Sequence, residues 1–324
     1  MTKSMKTLAA CGLFAAFAAG AGQAAAAADA YPNRPIRLIV GFAPGGSVDT
    51  VARLLAQRLG EALGQPVVIE NRPGADSNIA NEFVARADPD GYTLLLNTGA
   101  LAINVSLYKH VRYDAIRDFV PISMVGKSNI VLVTGPGMPV KSYKELYEKL
   151  RANPGKFNYS SAGGPQLLAA ELYKQRTGTD VVRISYKGGG PSINAVMSGE
   201  VQMSFSNIPT VMPHVKSGRL RILAVADDHR NPSIPDVPTF KEQGVDMNVS
   251  LWQGMFAPAG TPQPVIDKLY SAVTTVAKSE EFRKQMAAAG VDVVANTPAE
   301  FSQQVQAEVK QWAEVIRISG AAVD

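Results

Sequence analysis

The stretch IRLIVGFAPGGSVD, residues 36–49, decides the fold. Its first five residues form a short β-rich run, and a glycine-rich turn follows directly. After the turn, Val51, Leu55 and Leu59 recur at the spacing of one helical face, before Gly64 ends the pattern. This order predicts a strand, a loop and a helix, which is the repeating unit of a parallel sheet flanked by helices.

The same unit recurs along the chain, with two interruptions. Around residues 120–134 two extended runs, 122–125 and 130–133, follow each other without a helix between them. The strand–helix alternation then resumes, until a proline-rich passage leads to another extended run at 250–257 and a helical C-terminal part. We therefore predict two α/β units joined by two extended crossings.

The positions of the crossings predict the domain boundaries. We expect a first domain of residues 29–125 and 226–324, and a second domain of residues 126–225. The chain would leave the first domain once and return to it for its C-terminal helices.

The N-terminal segment, residues 1–28, predicts a secretory signal peptide. It carries Lys3 and Lys6, then an acid-free apolar stretch from Leu8 to Ala21, then a run of alanines. The apolar stretch is shorter than the ~20 residues that a membrane-spanning helix needs. We therefore expect export to the periplasm and removal of this segment, which contains the only cysteine. The remaining sequence has no thiol for a disulfide, a nucleophile or a metal site.

The composition argues against several functional classes. The 324 residues include 32 Lys and Arg against 28 Asp and Glu, and short basic clusters such as 214–221 lack interleaved aromatic residues, so nucleic acid is not an expected partner. Gly41 and Gly46 have the spacing of a phosphate-binding loop, but its lysine is missing. The three histidines form no H-E-x-x-H motif. We expect no cofactor and no metal ion.

Two glycine-rich turns are candidates for binding an anion. Residues 41–47 and 159–164 each lie between a predicted strand and a predicted helix. The unpaired N–H groups of a helix N-terminus favour negative charge at such a point. Glycines let the backbone approach the anion, and Ser47 adds a hydroxyl donor. If the two turns face each other, they could bind one small anion from both sides.

Five segments carry a family resemblance: residues 37–49, ENRPGA at 70–75, DPDGYTLL at 88–95, YKGGGP at 186–191 and APAGTP at 257–262. In their sequence and order they resemble the periplasmic solute receptors of tripartite tricarboxylate transporters, the Bug family. The resemblance extends over essentially the whole chain after the predicted signal peptide. It implies a two-domain type II periplasmic binding protein fold that closes around a small carboxylate.

The resemblance also implies ligand-binding residues and partners. Backbone amides and hydroxyls would bind the carboxylate, Phe42 would close over the apolar part of the ligand, and Asp49 would order its loop. The implied set is Phe42, Ala43, Pro44, Gly45, Gly46, Ser47, Asp49, Gly74, Ala75, Asn78 and Thr98 in the first domain, and Ser160, Ser161, Ala162, Gly163, Lys187, Gly188, Ser206 and Asn207 in the second. The implied partners are the membrane subunits of a transporter, and we expect the receptor to be a monomer.

Three alternatives stay open at this point. A receptor that delivers its ligand to a signalling sensor would have the same sequence features. An enzyme on the same scaffold would need a nucleophile, a metal set or a positioned acid–base pair, and the sequence shows none. A ligand-sensing regulator would need a DNA-binding segment ahead of residue 30, where the predicted signal peptide lies.

Three departures from the family pattern concern the ligand. Leu167 lies where the family has a histidine, Ser206 where it often has an aspartate, and Asp76-Ser77 replaces a pair of glycines. The first two departures remove a polar ring and a negative charge from one end of the predicted pocket. We therefore expect a carboxylate ligand that needs no cationic group, such as an aromatic or otherwise partly apolar acid.

Overall fold

The computed structural model describes residues 31–44, 47–161, 164–186 and 189–320. The predicted signal peptide, residues 1–28, lies outside the described residues. So do six of the predicted ligand-binding residues: Gly45, Gly46, Ala162, Gly163, Lys187 and Gly188.

The described residues form ten strands and ten helices. The strands are β1 (Ile36–Val40), β2 (Val67–Asn71), β3 (Thr93–Thr98), β4 (Phe119–Thr134), β5 (Asn158–Ser161), β6 (Val182–Ser185), β7 (Met203–Asn207), β8 (Arg221–Val225), β9 (Ser250–Pro258) and β10 (Asp292–Val293). The helices are α1 (Ser47–Leu63), α2 (Asn78–Ala85), α3 (Ala100–Leu107), α4 (Tyr143–Ala152), α5 (Gly164–Thr177), α6 (Gly189–Ser198), α7 (Ile208–Lys216), α8 (Gln263–Lys278), α9 (Glu280–Ala288) and α10 (Pro298–Ser319).

The strands pair in the order β2-β1-β3-β9-β4-β7-β5-β6, and β8 and β10 pair with β4. Strands β1, β2 and β3 are parallel to one another, and β5 is parallel to β6 and β7. Parallel strands place their carboxyl ends at one edge of a sheet, where ligands bind in α/β folds. The predicted turns after β1 and β2, and those after β5 and β7, therefore lie at such edges.

Strand β4 joins the two groups of parallel strands. It pairs antiparallel with β9 from Phe119 to Asn129, and with β7 from Ile130 to Thr134. The prediction of two separate extended runs here is wrong, because residues 126–129 continue the strand. Each of these four residues has a partner on β9, and a register shift beside Gly126 absorbs the irregularity.

Each group of strands has its own apolar core. In the first group, α1, α8 and α9 cover one face with buried residues such as Leu55 and Leu269. In the second group, Tyr173, Phe205 and Phe240 pack together with ring centroids 5.5–6.1 Å apart. Phe240 belongs to the segment between β8 and β9, so this returning segment contributes to the second core. The boundaries at 125/126 and 225/226 stay predictions.

Candidate functional site

The loop after β1 is held by the side chain of Asn71, at the end of β2. The Asn71 Nδ2 atom donates to the carbonyl of Phe42 and to Oδ1 of Asp49, both at 3.0 Å. Arg53 donates to Asp49 at 2.8 Å and 3.2 Å. Asp49 is 2% exposed, so its carboxylate fixes the loop from inside. The exposed described residues of this region are Ala43, Pro44 and Ser47.

The turn between β2 and α2 has an unusual backbone. After Gly74 (φ +136°), three successive non-glycine residues adopt positive φ: Ala75 at +46°, Asp76 at +49° and Ser77 at +77°. Left-handed backbone costs an L-residue roughly 1–2 kcal/mol, and Asp tolerates it better than most. Surrounding contacts must therefore hold this turn in place, as is common at binding sites.

A buried polar network supplies part of that support. Asn97, on β3, donates to Ser77 Oγ at 3.1 Å and to Asn81 Oδ1 at 2.5 Å. Asn81 in turn donates to the Tyr113 hydroxyl at 3.0 Å. All four side chains are buried, so these hydrogen bonds are shielded from water and fix the position of Ser77.

The same network also holds Asp76, in the turn, and Asn78, the first residue of α2. Asn104, on α3, donates to the carbonyl of Asp76 at 2.7 Å and to Asn78 Oδ1 at 3.0 Å. The Tyr113 hydroxyl also donates to Asn78 Oδ1, at 2.9 Å. The amide oxygen of Asn78, a predicted ligand-binding residue, is therefore engaged within the protein. Burial raises the pKa of Tyr113, so it remains a neutral donor.

The carboxylate of Asp76 points from this turn towards the second group of strands. Its Oδ2 atom lies 3.6 Å from the position that a Cβ would take on Gly164, the first residue of α5. Burial raises the pKa of Asp76. Among the described residues, its carboxylate has no hydrogen-bond or ion-pair partner. The Asp76 side chain, in the turn after β2, therefore lies close to the first residue of α5.

Thr98, at the end of β3, faces a residue that the sequence analysis did not select. Thr98 pairs with Gln253 on β9, and Gln253 pairs with Gly126 on β4. Residues directly opposite each other in an antiparallel pair point to the same face. Gln253 is 0% exposed, and neither its Nε2 nor its Oε1 atom has a hydrogen-bond partner in the described part of the chain.

The second group of strands contributes small polar residues. The four described members of the predicted set are all buried: Ser160, Ser161, Ser206 and Asn207. Ser192, on α6, donates to Ser160 Oγ at 2.8 Å. Thr210 donates to Asn207 Oδ1 at 2.6 Å. Strands β5 and β7 are adjacent, so their ends lie side by side.

The structure thus groups the described candidate residues into two sets at strand ends, and it adds two residues to them. Asp76 was noted in the sequence only as a departure from a pattern, and Gln253 was not noted. A signal for Gln253 existed, because it is a polar residue within the otherwise apolar run LWQGMFA at 251–257. Nothing in the sequence placed Asp76 next to Gly164.

Comparison with known proteins identifies the family. Residues 51–320 match the profile described as "Tripartite tricarboxylate transporter family receptor", TctC. The chain belongs to this receptor family. The TctC receptors are periplasmic binding proteins with two domains, and the two groups of strands correspond to that architecture.

Individual TctC relatives match over nearly their full length. Protein BugT of Bordetella pertussis (strain Tohama I) is 39% identical over 311 residues, which cover 94% of this chain and 95% of BugT. Among solved structures, R. palustris Rpa4515 with adipate has a TM-score of 0.80 and 31% identity, covering 90% of this chain and 99% of Rpa4515. MatC (Rpa3494) from Rhodopseudomonas palustris with bound malate has a TM-score of 0.75 and 30% identity, covering 88% of this chain and 100% of MatC.

The described part of this TctC receptor has neither a membrane-spanning helix nor a cluster of metal-ligating side chains. Within residues 31–320, leaving aside the pairs 45–46, 162–163 and 187–188, no helix has the length and apolar character to cross a bilayer. In the same residues, no three His, Cys, Asp or Glu side chains are grouped as metal ligands would be.

Proposed function

We propose that this chain is an exported receptor that captures a small carboxylate between its two domains and delivers it to the membrane subunits of a tripartite tricarboxylate-type transporter. The observation that carries the proposal is the approach of Asp76, after β2, to Gly164, at the N-terminus of α5. It supports a shared site between two sets of strand ends. The structures of relatives with adipate and with malate support a carboxylate as the ligand.

The proposed binding groups are mainly backbone amides and hydroxyls. The N-termini of α1 and α5 lie at the strand ends, and helix N-termini favour negative charge. The buried serines at the ends of β5 and β7 add hydroxyl donors. The proposed contact set is the one that the family resemblance implies, including the six residues outside the described part of the chain. We propose that the receptor acts as a monomer and returns its ligand chemically unchanged.

The first experiment screens ligands. The protein without residues 1–28 is mixed with a panel of small carboxylates, and its melting temperature is recorded; any ligand that co-purifies is extracted and identified by mass spectrometry. A carboxylate that binds the folded state raises the melting temperature by mass action. Mass analysis of the ligand after incubation tests whether the protein changes it.

A charge variant locates the binding site. Ser47→Asp adds a negative charge to the first turn of α1, where the helix dipole favours it, so the ligand-free protein should be at least as stable as the wild type. The same charge repels a carboxylate, so the ligand-induced rise in melting temperature should be lost. Ala299→Asp, at an exposed position in the first turn of α10, is the matched control. If Ser47→Asp retained the full ligand response, the loop after β1 would not belong to the site.

Export is tested separately. We propose that residues 1–28 are removed during export to the periplasm. N-terminal sequencing of the protein recovered from a periplasmic fraction should begin close to residue 29. Recovery of the intact N-terminus there would contradict this part of the proposal.

A further inference from the structure

The backbone at Asp76 is held in a fixed position, and the Asp76 carboxylate has no partner in the described part of the chain. The carbonyl of Asp76 accepts a hydrogen bond from Asn104, and the neighbouring Ser77 is held by Asn97, so the turn cannot easily swing the side chain away. Its carboxylate has no hydrogen-bond or ion-pair partner among the described residues, although burial raises its pKa. Asp76 is half-buried. A carboxylate that is partly removed from water gains from a partner, so a bound molecule that supplies one gains that interaction.

The groups that face Asp76 do not neutralise it. Two tyrosine hydroxyls interact electrostatically with the Asp76 carboxylate. Burial, and to a smaller extent the charge of Asp76, raises the pKa of Tyr108. Burial also raises the pKa of Tyr113, and the charge of Asp76 adds to that increase. Both tyrosines are neutral. The N-terminus of α5, at Gly164, contributes about half a positive charge. When Asp76 is ionised, about half a positive charge does not balance its carboxylate, so this end of the site is then negative.

The sign of the remaining charge restricts the ligand. If the proposed function holds, one carboxylate of the ligand lies in the cleft, and the other end of the ligand approaches Asp76. A second carboxylate there would place two like charges in one site, whereas an ammonium group would form a charge-assisted hydrogen bond. We propose that Asp76 is a specificity-determining residue, which selects amino carboxylates over dicarboxylates.

This inference differs from the prediction, made from the sequence, that the ligand needs no cationic group. The expectation of a ligand without a cationic group rested on the charge and the polar ring that Ser206 and Leu167 remove from the second domain. The structure instead brings the carboxyl group of Asp76, from the first group of strands, close to Gly164 at the start of α5. The solved relatives Rpa4515 and MatC were seen with adipate and malate, which are dicarboxylates, so the inference distinguishes this chain from them.

The test compares ligands that differ only in the second charged group. The pairs are succinate with β-alanine, glutarate with γ-aminobutyrate, adipate with δ-aminovalerate, methylmalonate with alanine, and benzylmalonate with phenylalanine. In each pair an ammonium group replaces one carboxylate. Affinities are measured by calorimetry for the wild type, for Asp76→Asn and for the control Asp88→Asn. Asp88 is exposed, and its substitution changes the net charge by the same amount.

The expected result is a preference that depends on Asp76. In at least one pair the ammonium member should bind the wild type at least ~10-fold more tightly, as a charge-assisted hydrogen bond predicts. Asp76→Asn should remove that preference, because Asn tolerates the left-handed backbone but carries no charge. Asp88→Asn should keep the preference.

Two results would overturn the inference while leaving the proposed function intact. One is that dicarboxylates bind the wild type as tightly as their amino partners, or more tightly. The other is that the preference for the ammonium member survives in Asp76→Asn. If no carboxylate of either kind binds the wild type, the proposed function fails together with the inference.

Discussion

Gly41, directly after β1, leaves no room for a side chain. A Cβ at this position would overlap the Cβ of Ser77, and it would lie 3.1 Å from the Ser77 Cα and 3.4 Å from the Ala80 Cβ. The first two obstacles belong to the strained turn, and its backbone is fixed by the buried amide network. We therefore predict that Gly41→Ala destabilises the protein and displaces the turn that carries Asp76.

The expected cost follows from overpacking. Inserting a methyl group into a well-packed region typically costs about 1–3 kcal/mol. For a chain of this size, each kcal/mol shifts the melting temperature by roughly 2–4 °C, so a cost of about 1–3 kcal/mol corresponds to a decrease of roughly 2–12 °C. Because the turn moves with Ser77, carboxylate affinity should also decrease.

Gly60 provides the matched control in the same domain. It lies inside α1, and its closest neighbour for a Cβ is the Gln65 carbonyl at 3.4 Å, an ordinary contact distance. Alanine is favoured over glycine in a helix by about 0.5–1 kcal/mol, so Gly60→Ala should be neutral or stabilising. Thermal unfolding of the two variants, with and without ligand, is the assay. If Gly41→Ala proved as stable as Gly60→Ala, the close packing of β1 against the turn would be refuted.

Three further predictions concern the site. Asp49→Ala should cost about 1–3 kcal/mol, because the part-buried Asn71 amide loses one of its two acceptors and keeps only the Phe42 carbonyl. Arg317→Ala should cost less than about 1 kcal/mol, because its ion pair with Glu314 is exposed, and equal losses in chemical denaturation would contradict this assignment. Gln253→Leu removes two buried polar atoms that are unpaired in the described part of the chain, so the ligand-free protein should be as stable as the wild type or more stable. If Gln253 contacts the ligand, the same variant should bind carboxylates more weakly. Thermal shifts measured with and without ligand separate the two effects. Asp76→Asn should raise the melting temperature at pH 8, because burial raises the folded-state pKa above the unfolded value of about 3.9 and the ionised native form is disfavoured. That gain should shrink as the pH falls through the raised pKa, and a gain independent of pH would show that backbone strain, not charge, is its origin.

The parallel units could be predicted from the sequence because their signals are local. The strand, glycine-rich turn and helix of residues 36–63 follow one another within a single stretch, and the structure forms β1 and α1 there. The single strand β4 could not be predicted, because its continuity depends on pairing with β9, which lies more than a hundred residues later. Helix α3 was not predicted, because its apolar residues are distributed around the whole helix and do not form a stripe on one face.

The candidate site also has a part that could be predicted from the sequence and a part that could not. The turns at 41–47 and 159–164 are visible in the composition of the sequence, whereas the other predicted residues at the strand ends were implied by the family resemblance. The role of Asp76 is not visible there, because it depends on a left-handed backbone and on Gly164, which is distant in the chain. Gln253 needed the structure for a related reason: its burial without a partner depends on its neighbours Thr98 and Gly126.

The strained turn and its support both belong to the first domain, and this affects when specificity arises. Among the described residues, the amides that hold Asp76 and Ser77 come from α2, α3 and β3, and none comes from the second group of strands. If the proposed function holds and the domains close on the ligand, the Asp76 carboxyl group is therefore in position before closure, and a ligand meets it in the open cleft. Closure then adds the N-terminus of α5 and the serines of β5 and β7. In this sequence of events the first domain rejects a second carboxylate at encounter, and the second domain contributes affinity to the ligands that remain.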